Sequence, residues 1–130
     1  MGIKSIIKKA GYLVLGATIS LKKGNLEEIK ALTRELSEKR TSKQPLEFPS
    51  AGSTFKRPEG YFAGKLIMDS GLQGYQVGGA QVSEKHCGFV INTGNATAED
   101  VKNLMSDVQR IVMEKFGVKL EPEVKFLGEF

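Results

Sequence analysis

Val101, Leu104, Met105, Val108, Ile111, Val112 and Phe116 recur at intervals of three and four residues. That stripe constrains the fold of this chain more than any other feature, because it places seven apolar side chains on one face of a single helix. Such a face must be covered by other apolar surface. Thr97 stands at the N-cap position, and Asp100 follows three residues on, near the positive end of the helix dipole. Gly117 ends the run. The spacing predicts a helix from Thr97 to Phe116.

The remaining segments are shorter. Leu13, Leu15, Ala17, Ile19 and Leu21 alternate with more polar residues, so Gly11 to Leu21 reads as a strand with one face inward. Lys22 to Asn25 is a turn, and Asn25 with Glu28 makes a capping-box pattern for a second helix. Leu26, Ile29, Leu32 and Leu36 give that helix a narrow apolar stripe, and it is expected to end near Arg40 to Ser42. Pro45 and Pro49 mark an extended linker.

A loop is expected from Pro49 to Gly60, then a short helix from Tyr61 to Ser70 with Phe62, Leu66 and Ile67 inward. Leu72 to Gly79 is glycine-rich, Gly88 to Asn92 reads as a strand, and Val118 to Leu120 with Val124 to Leu127 as a last extended segment. Strands and helices in this order give an α+β class. The proline-marked linker sets the first strand and helix apart, as they would be if they were the tail of another domain.

A length of 130 residues suffices for one domain with a core. No stretch approaches the roughly 20 apolar residues of a membrane span, and the basic N-terminus lacks the apolar core of a signal peptide. Cys87 is the only cysteine, so no internal disulfide forms, in keeping with a reducing cytoplasm. The net charge of +4 favours an anionic partner, but the cations are scattered, which argues against nucleic acid.

Chemistry is most plausible in Ala51-Gly52-Ser53-Thr54-Phe55-Lys56-Arg57-Pro58. Ser53 reads either as a turn hydroxyl bonded to its own backbone or as a proton donor. A hydrolase nucleophile is disfavoured, since no Gly-x-Ser-x-Gly elbow surrounds it and His86 is the sole histidine. Lys56 and Arg57 suit a phosphate or else form a solvated pair. Gln81, Ser83, Lys85 and His86 form a polar cluster before a buried strand, suited to a phosphate or sugar. One His beside one Cys makes no structural zinc site, and no metal is expected. There is no dinucleotide or Walker A loop. Glu121 and Glu123 flank Pro122; they read as two exposed acids near the chain end or, in an extended chain, as a pair sharing a side.

Several motifs occur in one order: Lys43-Gln44-Pro45, Pro49 to Pro58, Ala63-Gly64-Lys65-Leu66-Ile67, Gly78 to His86, Phe89-Val90-Ile91-Asn92, Gly94-Asn95-Ala96-Thr97 and Leu120-Glu121-Pro122-Glu123-Val124. This set, from about Gly11 onward, resembles the C-terminal portion of the UDP-N-acetylenolpyruvoylglucosamine reductase (MurB) family, in its type II form. The resemblance implies a flavoenzyme of peptidoglycan synthesis in the cytoplasm. Such an enzyme reduces the enolpyruvyl group of its UDP-sugar, UDP-N-acetylglucosamine enolpyruvate, to UDP-N-acetylmuramate with FAD and NADPH. It implies Ser53 as proton donor and Glu123 as its acidic partner. Lys43 matches a lysine at the substrate's phosphates, Lys56 is a further substrate contact, and Gln81, Ser83, Lys85 and His86 belong to the substrate cleft. It also implies a division into residues 1–42, a strand-helix remnant of the flavin-binding domain, and residues 43–130, the substrate-binding C-terminal domain.

The sequence departs from the family pattern in two places. Where the family carries Tyr-Arg-x-Ser-x-Phe, this chain has Gly2-Ile3-Lys4-Ser5-Ile6-Ile7, and Gln76 replaces an arginine. The family's glycine-rich flavin-binding region is not in this sequence, so the resemblance implies a chain inactive without that half, its expected partner. The alternative is a non-catalytic UDP-sugar-binding module.

Overall fold

The computed structural model describes residues 15–128. The expectations for Gly2 to Ile7, and for the first residues of the strand at Gly11 to Leu21, lie outside the described residues. The elements in order are α1 (Leu26–Lys43), β1 (Ser50–Ser53), α2 (Ala63–Asp69), β2 (Gln76–Val77), β3 (Ala80–Val82), β4 (Phe89–Asn92) and α3 (Ala98–Phe116). The chain divides into two compact units between Arg34 and Glu35.

In the described part of the first unit, from Leu15 onward, the expected strand is not formed. Residues 15–25 have no regular structure, and Leu15, Ile19 and Leu21 are exposed. Alternation makes a strand only where a neighbour supplies the ladder and a covering face, and none of the described residues pairs with this stretch. The helix that follows is as expected at its start. Asn25 Oδ1 accepts the backbone N–H groups of Glu27 and Glu28 at 2.9 and 3.2 Å. Its stripe of Leu26, Ile29, Leu32 and Leu36 is exposed, and α1 buries no residue.

The second unit holds the core. Four strands form an antiparallel sheet in the order β1-β4-β3-β2. Leu104, Met105, Val108 and Val112 of α3 are buried with Ala80 and Val82 of β3, Val90 of β4, and Leu66 and Ile67 of α2. The periodic stripe therefore finds its cover as its spacing requires. Val101 and Ile111 pack at the margin, while Phe116 is exposed.

Both ends of α3 behave as the sequence indicates. The Thr97 hydroxyl accepts the Asp100 N–H at 3.0 Å, and Asp100 Oδ2 accepts the Thr97 N–H at 2.9 Å. Gly117 closes the helix at φ 66°, its N–H donating to the Met113 carbonyl.

Four expectations need correction. Ser50–Ser53 is not a loop but an edge strand, with an irregularity between its pairings Ser50 to Ile91 and Ser53 to Phe89. An edge tolerates the glycine and the nearby prolines that a central strand would not. The stretch after α1 is a turn rather than an extended linker: the Phe48 N–H reaches the Pro45 carbonyl at 3.2 Å, and Pro45 is buried. Phe62 is not inward but 59% exposed, because α2 begins only at Ala63. Finally, the glycine-rich stretch contains β2, which turns through Gly78-Gly79 into β3. A Cβ on Gly79 would lie 2.5 Å from the Ala96 nitrogen and the Gly94 carbonyl oxygen, so only glycine fits this crossing.

Candidate functional site

The segment after α3 brings distant residues together. Leu120 is fully buried, and its carbonyl accepts from Gln109 Nε2 at 2.7 Å. This anchor lays Glu121–Glu123 alongside Thr54–Lys56. The Lys56 N–H donates to the Glu121 carbonyl at 2.8 Å, the Glu123 N–H donates to the Thr54 carbonyl at 2.9 Å, and Phe55 bridges Pro122. Thr54 itself is buried, and its hydroxyl accepts the Val90 N–H at 3.0 Å. The expected last extended segment is thus a short bridge to the end of β1.

These contacts put Ser53 and Glu123 on the wall of one cleft of about 710 Å³, together with Lys56, Arg57, Lys85 and His86. Both Ser53 and Glu123 are exposed, and among the described residues neither side chain has a hydrogen-bond partner. The reading of Ser53 as a hydroxyl bonded to its own turn is therefore not what forms; Ser50 Oγ instead accepts the Gly52 N–H at 3.4 Å. Glu121 and Glu123 do not share a cavity: Glu121 lines a neighbouring depression with Pro58 and Lys119.

The cations of the cleft differ in how they are held. Lys56 pairs with Glu121 at 2.9 Å, Lys65 with Asp69 at 2.8 Å and Lys85 with Glu47 at 3.5 Å. The hydrogen bond from Lys56 to Glu121 raises the Lys56 pKa, with the charge attraction adding to it, and lowers that of Glu121 for the same reasons. Lys85 also donates to the Thr41 carbonyl at 2.9 Å. Arg57 has no carboxylate partner among the described residues; its guanidinium lies 4.0 Å from the centroid of the exposed Phe62 ring. Stacking orients the guanidinium and leaves its edge donors available to an anion. Arg57 and Phe62, five residues apart, were both visible in the sequence, but not that they meet.

His86 is held by its own turn. The buried Ser83 hydroxyl accepts the N–H groups of Lys85 and His86, each at 3.2 Å, and the Gly88 N–H donates to His86 Nδ1 at 3.0 Å. The imidazole meets Phe89 edge-on, centroids 5.0 Å apart. Cys87 beside it is buried, which pushes its thiol pKa up and leaves it a poor nucleophile.

Three of the expected residues lie apart from the cleft wall. Gln81 is half-buried in β3, its Nε2 donating to the Gly74 carbonyl at 3.3 Å. Ser83 is buried behind the wall. Lys43 is the exposed last residue of α1 and does not line the cleft. Gln73 and Glu84 line the cleft without having been singled out; Gln73 Nε2 donates to the Glu84 carbonyl at 2.6 Å. Nothing in their sequence context set them apart.

Neither long helix offers the diphosphate of FAD a suitable N-terminus. A dinucleotide diphosphate is ordinarily held by a glycine-rich turn at a helix N-terminus. Here the first turns of the two long helices carry Glu27 and Glu28, and Glu99 and Asp100, which repel a diphosphate. No cluster of three or more His, Cys, Asp or Glu among the described residues is arranged to hold a metal ion, and no described helix is long and apolar enough to cross a membrane.

The family model for the C-terminal domain of UDP-N-acetylenolpyruvoylglucosamine reductase matches residues 44–127. The chain belongs to this reductase family. It is 70% identical over 125 residues to the UDP-N-acetylenolpyruvoylglucosamine reductase of Lachnoclostridium phytofermentans, covering 96% of this chain and 40% of the relative. The reductase of Agathobacter rectalis is 65% identical over 126 residues, with 97% and 40% covered. The crystal structure of the Thermus caldophilus reductase superposes with a TM-score of 0.63 at 38% identity, over 80% of this chain and 37% of that one. The chain thus spans about two fifths of the length of the curated relatives it matches. The mixed architecture of an antiparallel sheet with packed helices is that of the reductase C-terminal domain.

Proposed function

We propose that this chain is the substrate-binding and proton-donating part of a reductase that converts UDP-N-acetylenolpyruvoylglucosamine to UDP-N-acetylmuramate, a cytoplasmic step of peptidoglycan synthesis. The observation that carries this reading is the presence of Ser53 and Glu123 on one cleft with Lys56 and Arg57. Residues 43–130 form the substrate domain in this reading, and residues 1–42 belong with the flavin-binding part of the relatives.

Reducing an enolpyruvyl double bond adds a hydride to one carbon and a proton to the other. The residues of this chain are assigned to the second event. The Ser53 hydroxyl gives its proton to the carbanionic carbon, and the nearby cations stabilise the alkoxide left behind. Glu123 assists that transfer and favours return of a proton to Ser53. Arg57 and Lys56 hold the diphosphate, and Lys85 and His86 line the substrate's path. For Lys43, Gln81 and Ser83, direct substrate contact rests on the family resemblance alone. The hydride, from FAD recharged by NADPH in this reading, is not delivered by any described residue.

Calorimetry on the chain as it stands tests the reading. UDP-N-acetylglucosamine enolpyruvate is expected to bind one to one without flavin, and FAD is not expected to bind stoichiometrically. Absence of sugar-nucleotide binding sinks the proposal. When the flavin-binding part is supplied, Ser53→Ala is expected to abolish reduction of the enolpyruvyl group while substrate binding persists. Persistence of binding with no turnover under any reconstitution would favour a non-catalytic UDP-sugar module, the alternative reading.

A further inference from the structure

The turn from Ser83 to Gly88 shows how the cleft's only imidazole is prepared. A backbone N–H can only donate, so the 3.0 Å contact from Gly88 makes His86 Nδ1 an acceptor. In the neutral imidazole the proton then sits on Nε2. His86 is exposed on the cleft wall, and among the described residues Nε2 has no partner. The ring is boxed in from the other side. A Cβ on Gly88 would lie 2.8 Å from His86 Cε1, and one on Gly64 would lie 3.3 Å from the same atom and 3.1 Å from the Gly88 nitrogen. Two glycines from different elements therefore leave the space that the ring occupies. Phe89 fixes its tilt, at 75° between ring planes. Ser83, 1% exposed, fixes the main chain beneath by accepting two N–H groups.

We propose that Ser83, Gly64 and Gly88 are positioning residues that present His86 as a neutral Nε2–H donor to a phosphate oxygen in the cleft. This rests on the reading of the cleft as the site of a nucleoside diphosphate. A neutral donor of fixed direction adds a hydrogen bond to an anion without adding another charge to a cleft that already holds several cations. It also gives Ser83 a role behind the wall rather than at the ligand.

Two-bond proton–nitrogen correlation spectra of the full chain, recorded at alkaline pH, read the tautomer directly. The Nε2–H fraction of His86 is expected to exceed that of free histidine. Ser83→Ala, with folding checked by circular dichroism, is expected to relax it towards the free value. A wild-type His86 in the Nδ1–H form, or in the free-histidine mixture, overturns the proposal whether or not Ser83→Ala folds. Titration with inorganic diphosphate is expected to shift His86 Nε2 while Nδ1 remains an acceptor. His86→Phe is expected to weaken that binding about tenfold. Diphosphate that does not bind, or that binds His86→Phe equally well, overturns the donor role. Neither readout involves the enolpyruvyl sugar. His86-dependent diphosphate binding without binding of that sugar sinks the reductase reading alone, whereas sugar binding with the wrong tautomer sinks this one alone.

Discussion

The Thr54 carbonyl accepts the Glu123 amide at 2.9 Å, and through that bond the end of the edge strand and the segment beyond α3 become one wall. Thr54 serves both directions, since its hydroxyl accepts the Val90 N–H at 3.0 Å from the next strand. Thr54→Val keeps the shape and leaves the buried Val90 N–H without an acceptor. The expected loss is about 1–3 kcal/mol, checked by urea denaturation.

Leu120 is the apolar anchor of the same wall. Leu120→Ala is expected to cost about 2–5 kcal/mol in denaturant melts. If the proposed function holds, it should also weaken binding of the UDP-sugar, because Glu121–Glu123 lose their fixed position. A stability loss with unchanged affinity would show that the bridge between Phe55 and Pro122 holds the segment unaided.

Glu121 competes with any anion for Lys56. Glu121→Gln is expected to return the Lys56 pKa towards its ordinary value and, if the cleft takes the proposed diphosphate, to raise UDP affinity by up to about fivefold at low salt, with little change in melting temperature. A fall in affinity would show instead that Glu121 aims the ammonium into the cleft. Calorimetry at two ionic strengths distinguishes these outcomes.

The α3 N-terminus should be acid-sensitive. Asp100 accepts the Thr97 and Gly79 N–H groups, which hold its carboxyl below the ordinary range. A folded pKa below the unfolded one contributes stability that is fully present above the unfolded aspartate value of about 3.9. That contribution is lost as pH falls through the lower folded value. Asp100→Asn should therefore show a shallower decline in melting temperature below that pH than the wild type. Thr97→Ala is expected to cost about 1 kcal/mol at neutral pH.

Gly79→Ala tests the crossing beneath the β2–β3 turn. Its Cβ would meet main-chain atoms of Gly94 and Ala96, which cannot step aside as a flexible side chain would. A loss of about 1–3 kcal/mol is expected in thermal melts, and a neutral result would mean that the turn at Gly94 shifts freely.

Legibility in the sequence follows the range of the interactions. α3 is readable except for Phe116, which its spacing places on the covered face, because its stripe, its cap and its closing glycine are all local signals. The Leu15 to Leu21 stretch shows the converse: an alternating pattern predicted a strand, but alternation supplies no partner. β2 and β3, of two and three residues, are too short for any period to register. Phe62 was assigned inward from helical spacing, yet it lies just before the helix begins. For the site, the hydroxyl and cations near Ser53 were evident, whereas its proximity to Glu123 depends on pairing far along the chain. The resemblance named that pair; no local spacing does. The carboxylate partners of Lys56 and Lys85 were equally hidden, because each comes from a different segment.

The wall at Thr54 and Glu123 also sets an order of events during synthesis. Ser53 and the whole sheet leave the ribosome before α3, and Glu121–Glu123 leave after it. The sheet gains its apolar cover only when α3 is made, and the cleft gains its Glu121–Glu123 segment last. A chain released before that segment is made carries the serine without the acid that shares its cleft.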